Sequence, residues 1–149
     1  MNPIKHVDLH MNNLISDLQT LIRQPSVSAK NEGIEECANL IQKLLEQSGI
    51  PSELLRLKKG VAPIVYGEIK SKQNPKKTLL FYNHYDVQPA EPFDLWEFPP
   101  FSATRKGNKI FGRGATDDKG ELITRIKAVE ACLKTTGDVP CNIKFVIEG

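Results

Sequence analysis

The sequence predicts an α/β fold, a mixed and partly parallel sheet with helices packed on it. Three observations predict it. Apolar residues recur at helical spacing in three stretches, short apolar runs bounded by Gly and Pro lie between them, and the last third reads strand, helix, strand. That order suggests a β-α-β crossover, which makes the two strands it joins parallel. With 149 residues the chain can form one domain with its own core, since domains cluster near roughly 100 to 150 residues. Its 40% apolar and 26% charged residues fit a globular protein rather than a disordered one.

The elements follow in order. Leu14, Ile15, Leu18, Leu21 and Ile22 form the stripe of a first helix, ended by Pro25, which disfavours helical geometry in the residue before it. Ile34, Cys37, Ala38, Ile41, Leu44 and Leu45 form a second, with Gly49 and Pro51 as its stop. Strands are expected at Glu53 to Leu57 and Ile64 to Ile69. Thr78 to Tyr82, almost wholly apolar, reads as a strand buried on both faces in the middle of a sheet. A hairpin is expected between Phe101 and Phe111, turning at Gly107-Asn108. Leu122, Ile123, Ile126, Val129 and Leu133 give a last helix with Glu130 on its polar face and a stop at Gly137, and Ile143 to Ile147 a last strand.

Charge and cysteine content narrow the functional classes. Twenty Lys and Arg against 18 Asp and Glu leave +2, with no basic stripe to neutralise phosphates, so no nucleic-acid partner is expected. Lys70, Lys72, Lys76 and Lys77 read as a solvated loop. No run approaches the about 18 apolar residues of a membrane span, and Met1 to Leu14 lacks the apolar core of a signal peptide. Cys37, Cys132 and Cys141 form no C-x-x-C pair and are odd in number, which argues against a disulfide framework or a thiolate zinc site. These features place the chain in the cytoplasm, away from membranes. His6 and His10 read as part of a solvated first segment, and Trp96, Phe98 and Phe101 as packing under the hairpin.

Two clusters could carry chemistry. His84 and Asp86 follow the buried strand, where open α/β sheets place ligand-binding groups. An imidazole can bind a metal through one nitrogen while a carboxylate two residues away holds the other N–H. A polar turn is the plainer reading of that pair. Gly112 to Gly120 then sets Asp117 and Asp118 before the last helix. A phosphate loop would need Gly-Lys followed by Ser or Thr, and Lys119 is followed by Gly120 and Glu121. Helix capping by Asp117 or Asp118 is the plainer reading there.

Taken together, Asn83-His84-Tyr85-Asp86-Val87-Gln88-Pro89, then Trp96 and Pro100-Phe101, then Gly112-Arg113-Gly114 and Asp117-Asp118-Lys119-Gly120 resemble the aminoacylase and carnosinase family of di-zinc metallopeptidases. Pro25-Ser26-Val27-Ser28 is an early, weaker part of the match. The resemblance implies an α/β/α zinc-peptidase catalytic domain, of which residues 1–149 are the N-terminal part. It implies two zinc ions, with other divalent metals possible. His84 would be a ligand of one, Asp117 would bridge both, and Asp86 would be the catalytic-site carboxylate that orients His84. A bridging carboxylate can hold two ions roughly 3.5 to 4 Å apart, where they polarise a carbonyl and activate water. The family also carries a cis peptide at the position of Asp117-Asp118.

The match stops at Glu148-Gly149. In the family an equivalent Glu-Gly precedes the paired glutamates that supply the general base and a further ligand, so Glu148 is not the base. The remaining ligands, the rest of the sheet and a lid domain, through which a homodimer could form, are expected beyond this chain. The chain as given is therefore expected to be inactive, with weak zinc binding. Gln88 resembles the dipeptidase branch, so hydrolysis of dipeptides or short peptides is the expected activity of the parent enzyme. The alternatives are an N-acyl amino acid deacylase, acting on acetyl or succinyl substrates, and a non-catalytic module that keeps only the fold.

Overall fold

The computed structural model describes residues 2–149. Among the described residues are four α-helices, α1 (Pro3–Leu9), α2 (Met11–Arg23), α3 (Ile34–Gln47) and α4 (Lys119–Thr136). Six strands accompany them, β1 (Ser52–Leu55), β2 (Ile64–Ile69), β3 (Thr78–His84), β4 (Thr104–Lys106), β5 (Lys109–Phe111) and β6 (Asn142–Glu148). The main sheet has the order β1-β2-β6-β3, antiparallel except for the β6-β3 pair, which is parallel. The fold class is thus the expected one, with α4 as the crossover from β3 to β6.

The stripes read from sequence face the core. α3 buries Ile34, Cys37, Ala38, Ile41, Leu44 and Leu45, and packs on β1 and β2. α4 buries Leu122, Ile123, Ile126 and Val129, and ends at Gly137 in the left-handed conformation. Val65, Gly67 and Ile69 of β2 stand opposite Ile147, Phe145 and Ile143 of β6, and Val65, Phe145 and Ile147 are fully buried. Glu130 does not simply face solvent: with Asp17 it holds Lys127 Nζ at 2.6 Å, joining α2 to α4.

Two expectations need correction. β3 is an edge strand, hydrogen-bonded to β6 alone, and Leu80 and Tyr82 are more than half exposed. A short apolar run reports hydrophobicity but not which faces are covered, and no described element covers the Leu80 and Tyr82 face. β1 ends at Leu55 because Arg56 leaves the ladder to form a two-pronged ion pair with Glu35. His6 and His10 lie in a solvated first segment, as expected: α1 buries no residue, and its start is marked by the Asn2 side chain, which accepts from the Lys5 N–H at 2.8 Å, and by Pro3. The β4-β5 hairpin does turn at Gly107-Asn108, with Gly107 alone at positive φ.

The lysine-rich loop before β3 is tied down by Asp138, which follows α4. The N–H groups of Val139, Lys72 and Gln73 hold the Asp138 carboxyl below the ordinary aspartate range, with Lys72 and Gln73 each 3.1 Å from Oδ2. A depressed carboxyl contributes its full stability above the ordinary value of about 3.9 and loses it as pH falls through the folded value. Asp138→Asn is expected to lower the urea midpoint at neutral pH, with the gap to the parent closing as pH drops below about 4. A gap that stays constant down to the acid limit would rule this out.

Candidate metal centre

β3 delivers two neighbouring residues to opposite sides of the sheet, as strand geometry requires. Asn83 falls on the covered face and is 1% exposed. His84 falls on the open face with Tyr82. The chain then passes Tyr85, whose buried ring donates its hydroxyl to the Pro63 carbonyl at 2.8 Å, and reaches Asp86. The Pro25-Ser26-Val27-Ser28 segment lies beside this stretch. Ser26 Oγ donates to the Tyr85 carbonyl at 2.6 Å, and the Val87 N–H donates to the Ser26 carbonyl at 2.8 Å.

The second cluster reaches the same place from the other direction. Gly114, at φ +82, lets the loop pass close to Val87, where a Cβ would stand 2.8 Å from Val87 Cγ1. The glycines thus serve close packing rather than a phosphate cradle. Asp117 and Asp118 are joined by a cis peptide. Asp118 occupies the N-cap position of α4, yet its side chain makes no capping bond. Its Oδ2 instead accepts from Asn83 Nδ2 at 2.7 Å and from the His84 N–H at 3.1 Å.

The structure brings His84, Asp86 and Asp117 together. His84 Nδ1 lies 3.1 Å from both the main-chain oxygen and Oδ1 of Asp86. His84 Nε2 lies 3.0 Å from Asp117 Oδ1. A neutral imidazole has one N–H and one lone pair. A ring that faces oxygens with both nitrogens must therefore carry two protons or hold another cation at one of them. Burial pulls the imidazolium down, but hydrogen bonds to Asp86 and Asp117, with the charges of Asp118 and Asp86, outweigh it and hold His84 above its ordinary value. The Nδ1 side donates to Asp86, which leaves Nε2 as the nitrogen that could take a metal.

These donors suit a zinc-type cation. They offer one imidazole nitrogen and one carboxylate oxygen, and the Asp117 side chain is 85% exposed. Among the described residues no group of three or more His, Cys, Asp or Glu side chains is arranged to hold a metal. A cavity of about 400 Å³ opens beside the pair, lined by Gln88, Trp96 and Arg113 among others. Phe98 packs edge-on against Phe111, as expected. Trp96 does more than pack: it donates to the Ala90 carbonyl at 2.8 Å, carries the Arg113 guanidinium 5.0 Å from its ring centre and faces the cavity.

Sequence reasoning passed over three supporting residues. Ser28 Oγ donates to Asp86 Oδ2 at 2.6 Å, adding a hydroxyl behind the carboxylate that holds His84. Lys119 is fully buried, and its Nζ donates to the carbonyls of Leu21 and Gln24 at 3.1 and 2.6 Å, capping the end of α2. Asn83 holds Asp118. All three sat inside motifs already singled out, but the motifs do not say which way each side chain points.

Comparison with known proteins finds peptidases. Residues 80–149 match Peptidase family M20/M25/M40. The chain is similar to a Beta-Ala-His dipeptidase of Mus musculus, with 32% identity over 97% of this chain and 32% of that protein. It superposes on human carnosine dipeptidase 1 with a TM-score of 0.87 at 30% identity, over 99% of this chain and 34% of that one. It superposes on a metallo-carboxypeptidase of the same family from Sulfolobus solfataricus with a TM-score of 0.81 at 41% identity, over 94% of this chain and 30% of that one. The chain spans about a third of the length of the curated relatives it matches.

Residues that orient a metal-binding histidine typically change metal affinity or activity by about 10- to 100-fold when altered. Asp86→Asn in the full-length protein is expected to weaken zinc binding within that range in a chelator competition. Ser28→Ala, one bond further out, should weaken it by less than the Asp86 change. Equal losses for both, or a larger loss for Ser28, would contradict the order of support described above.

Proposed function

We propose, from the premise that residues 80–149 belong to Peptidase family M20/M25/M40, that the protein is a metal-dependent hydrolase of dipeptides or short peptides. The observation that carries this reading is the imidazole of His84, oxygen-bound at Nδ1 and set 3.0 Å from the Asp117 carboxylate at Nε2. In this reading His84 and Asp117 would hold divalent metal, with zinc as the ion and Asp117 as the ligand a second ion would share. Divalent metal bound there supplies Lewis acidity for the scissile carbonyl and a lowered pKa for water.

The chain's own groups have separate tasks. Asp86 keeps the proton on Nδ1, so the lone pair of Nε2 stays directed at Asp117's side of the cavity. Asp117 presents its carboxylate outward while Asp118 turns inward, so negative charge is concentrated where cations bind. Gln88, exposed on the cavity wall, offers an amide able to both donate to and accept from a peptide unit. The similarity to a Beta-Ala-His dipeptidase and to human carnosine dipeptidase 1 supports dipeptides over N-acyl amino acids as the substrates.

Residues 1–149 stand in this reading as the N-terminal part of a catalytic domain. In this reading the general base, the other ligands and a lid domain able to dimerise would lie outside the third of the relatives' length that this chain covers. A catalytic zinc commonly takes about three protein ligands, so the 149 residues alone should bind zinc weakly and hydrolyse nothing. The cytoplasm suits three free thiols. No helix of the described residues is long and apolar enough to cross a membrane.

The test is kinetic. The full-length protein should lose activity on chelation and regain it with added zinc. It should show higher kcat/KM on dipeptides than on N-acetyl or N-succinyl amino acids. A strict preference for the acylated substrates would give the site to the deacylase reading, and no hydrolysis by the metal-loaded protein would leave a binding module.

A further inference from the structure

His84 and Asp117 arrive from different elements, one from the end of β3 and the other from the turn before α4. Something must fix the turn against the strand, or the two donors would not stay 3.0 Å apart. One oxygen makes that connection. Asp118 Oδ2 accepts both from the main-chain N–H of His84, at 3.1 Å, and from the side-chain amide of Asn83, at 2.7 Å. We propose that Asn83 is a positioning residue of the metal centre: through Asp118, its amide sets where Asp117 stands relative to His84.

This rests on the metal reading of His84 and Asp117, and four further observations support it. Asn83 is 1% and Asp118 9% exposed, so water cannot readily replace the lost partner if the amide is removed. Strand alternation sends residue 83 to the covered face while 84 points to the site, so the position before the histidine is the one from which β3 can grip the turn from inside. The Asn83 Oδ1 atom has no partner among the described residues. The amide is therefore oriented by Asp118 alone, with its nitrogen toward the carboxylate, since an oxygen there would meet like charge. Asp118, for its part, makes no capping bond to α4 and is free to serve this link.

The role differs from simple packing in what it predicts. In the full-length protein, Asn83→Ala removes the donor and Asn83→Asp replaces it with a carboxylate that repels Asp118. Both are expected to weaken zinc binding about 10- to 100-fold in a chelator competition. Both should shift the visible spectrum of the cobalt-substituted protein and lower kcat, with KM within about twofold of the parent. Val65→Ala, a core change in β2, serves as the control for stability and should leave zinc affinity unchanged at a comparable loss of Tm. Where Asn83→Asp does not accumulate as folded protein, Asn83→Ser carries the same test.

Zinc affinity within twofold of the parent in the Asn83 variants would overturn the proposal, and so would an equal loss in Val65→Ala. His84→Ala separates the two levels. If it weakens binding and the Asn83 variants do not, only the positioning role fails. If it has no effect, the metal reading fails and this inference goes with it.

Discussion

β3 and β6 run parallel, with His84 beside Glu148, so the chain leaving β3 must cross back over the sheet before β6 can begin. The crossover is long. It carries the β4-β5 hairpin, the glycine-rich turn and α4, and it returns the start of α4 to the carboxyl end of β3 rather than to its beginning. Open α/β sheets place reactive groups at that end because loops there converge while the strands stay rigid. Antiparallel pairing of β3 and β6 would need no such return, and Asp117 would have no reason to lie near His84.

The second constraint is electrostatic. Asp86, Asp117 and Asp118 all lie near one imidazole, and the described salt bridges give them no lysine or arginine partner. Three carboxylates around one histidine favour positive charge between them. A proton on Nε2 partly meets that need, which is why His84 sits above its ordinary value despite burial. A divalent cation meets it better, and would compete with the proton for the same nitrogen. The site is thus most open to metal where the imidazolium gives up its proton, and acid conditions should oppose loading.

Much of the fold was legible because it rests on periodicity. α2, α3, α4, β2 and β6 each bury a regular stripe, and a stripe can be read without knowing its neighbours. α1 lacked one: Ile4 and Leu9 are mostly exposed, and only the Asn2-Pro3 start signalled a helix. The location of β3 could not be read, since an apolar run fits an edge or a central strand alike. At the site, residue types and spacing pointed to His84, Asp86 and Asp117. The roles of Ser28, Asn83 and Lys119 were hidden because each depends on a contact with a partner 58, 35 or more than 90 positions away.

The run Asp117-Asp118-Lys119-Gly120 shows why such a motif tolerates so little change. Asp117 points to solvent, 85% exposed, and faces His84. Asp118 turns inward to Asn83. Lys119 is buried completely and closes the end of α2 with two bonds to main-chain carbonyls. Gly120 leaves no room for a side chain, since a Cβ there would stand 2.1 Å from the Ala115 carbonyl oxygen. Four successive residues thus meet four different surroundings, each with its own demand on charge or size. Moving the register forward by one would put a carboxylate against the α2 carbonyls, a lysine where Gly120 leaves no room and Thr116 in the place of Asp117, so packing alone already fixes the spacing of the motif.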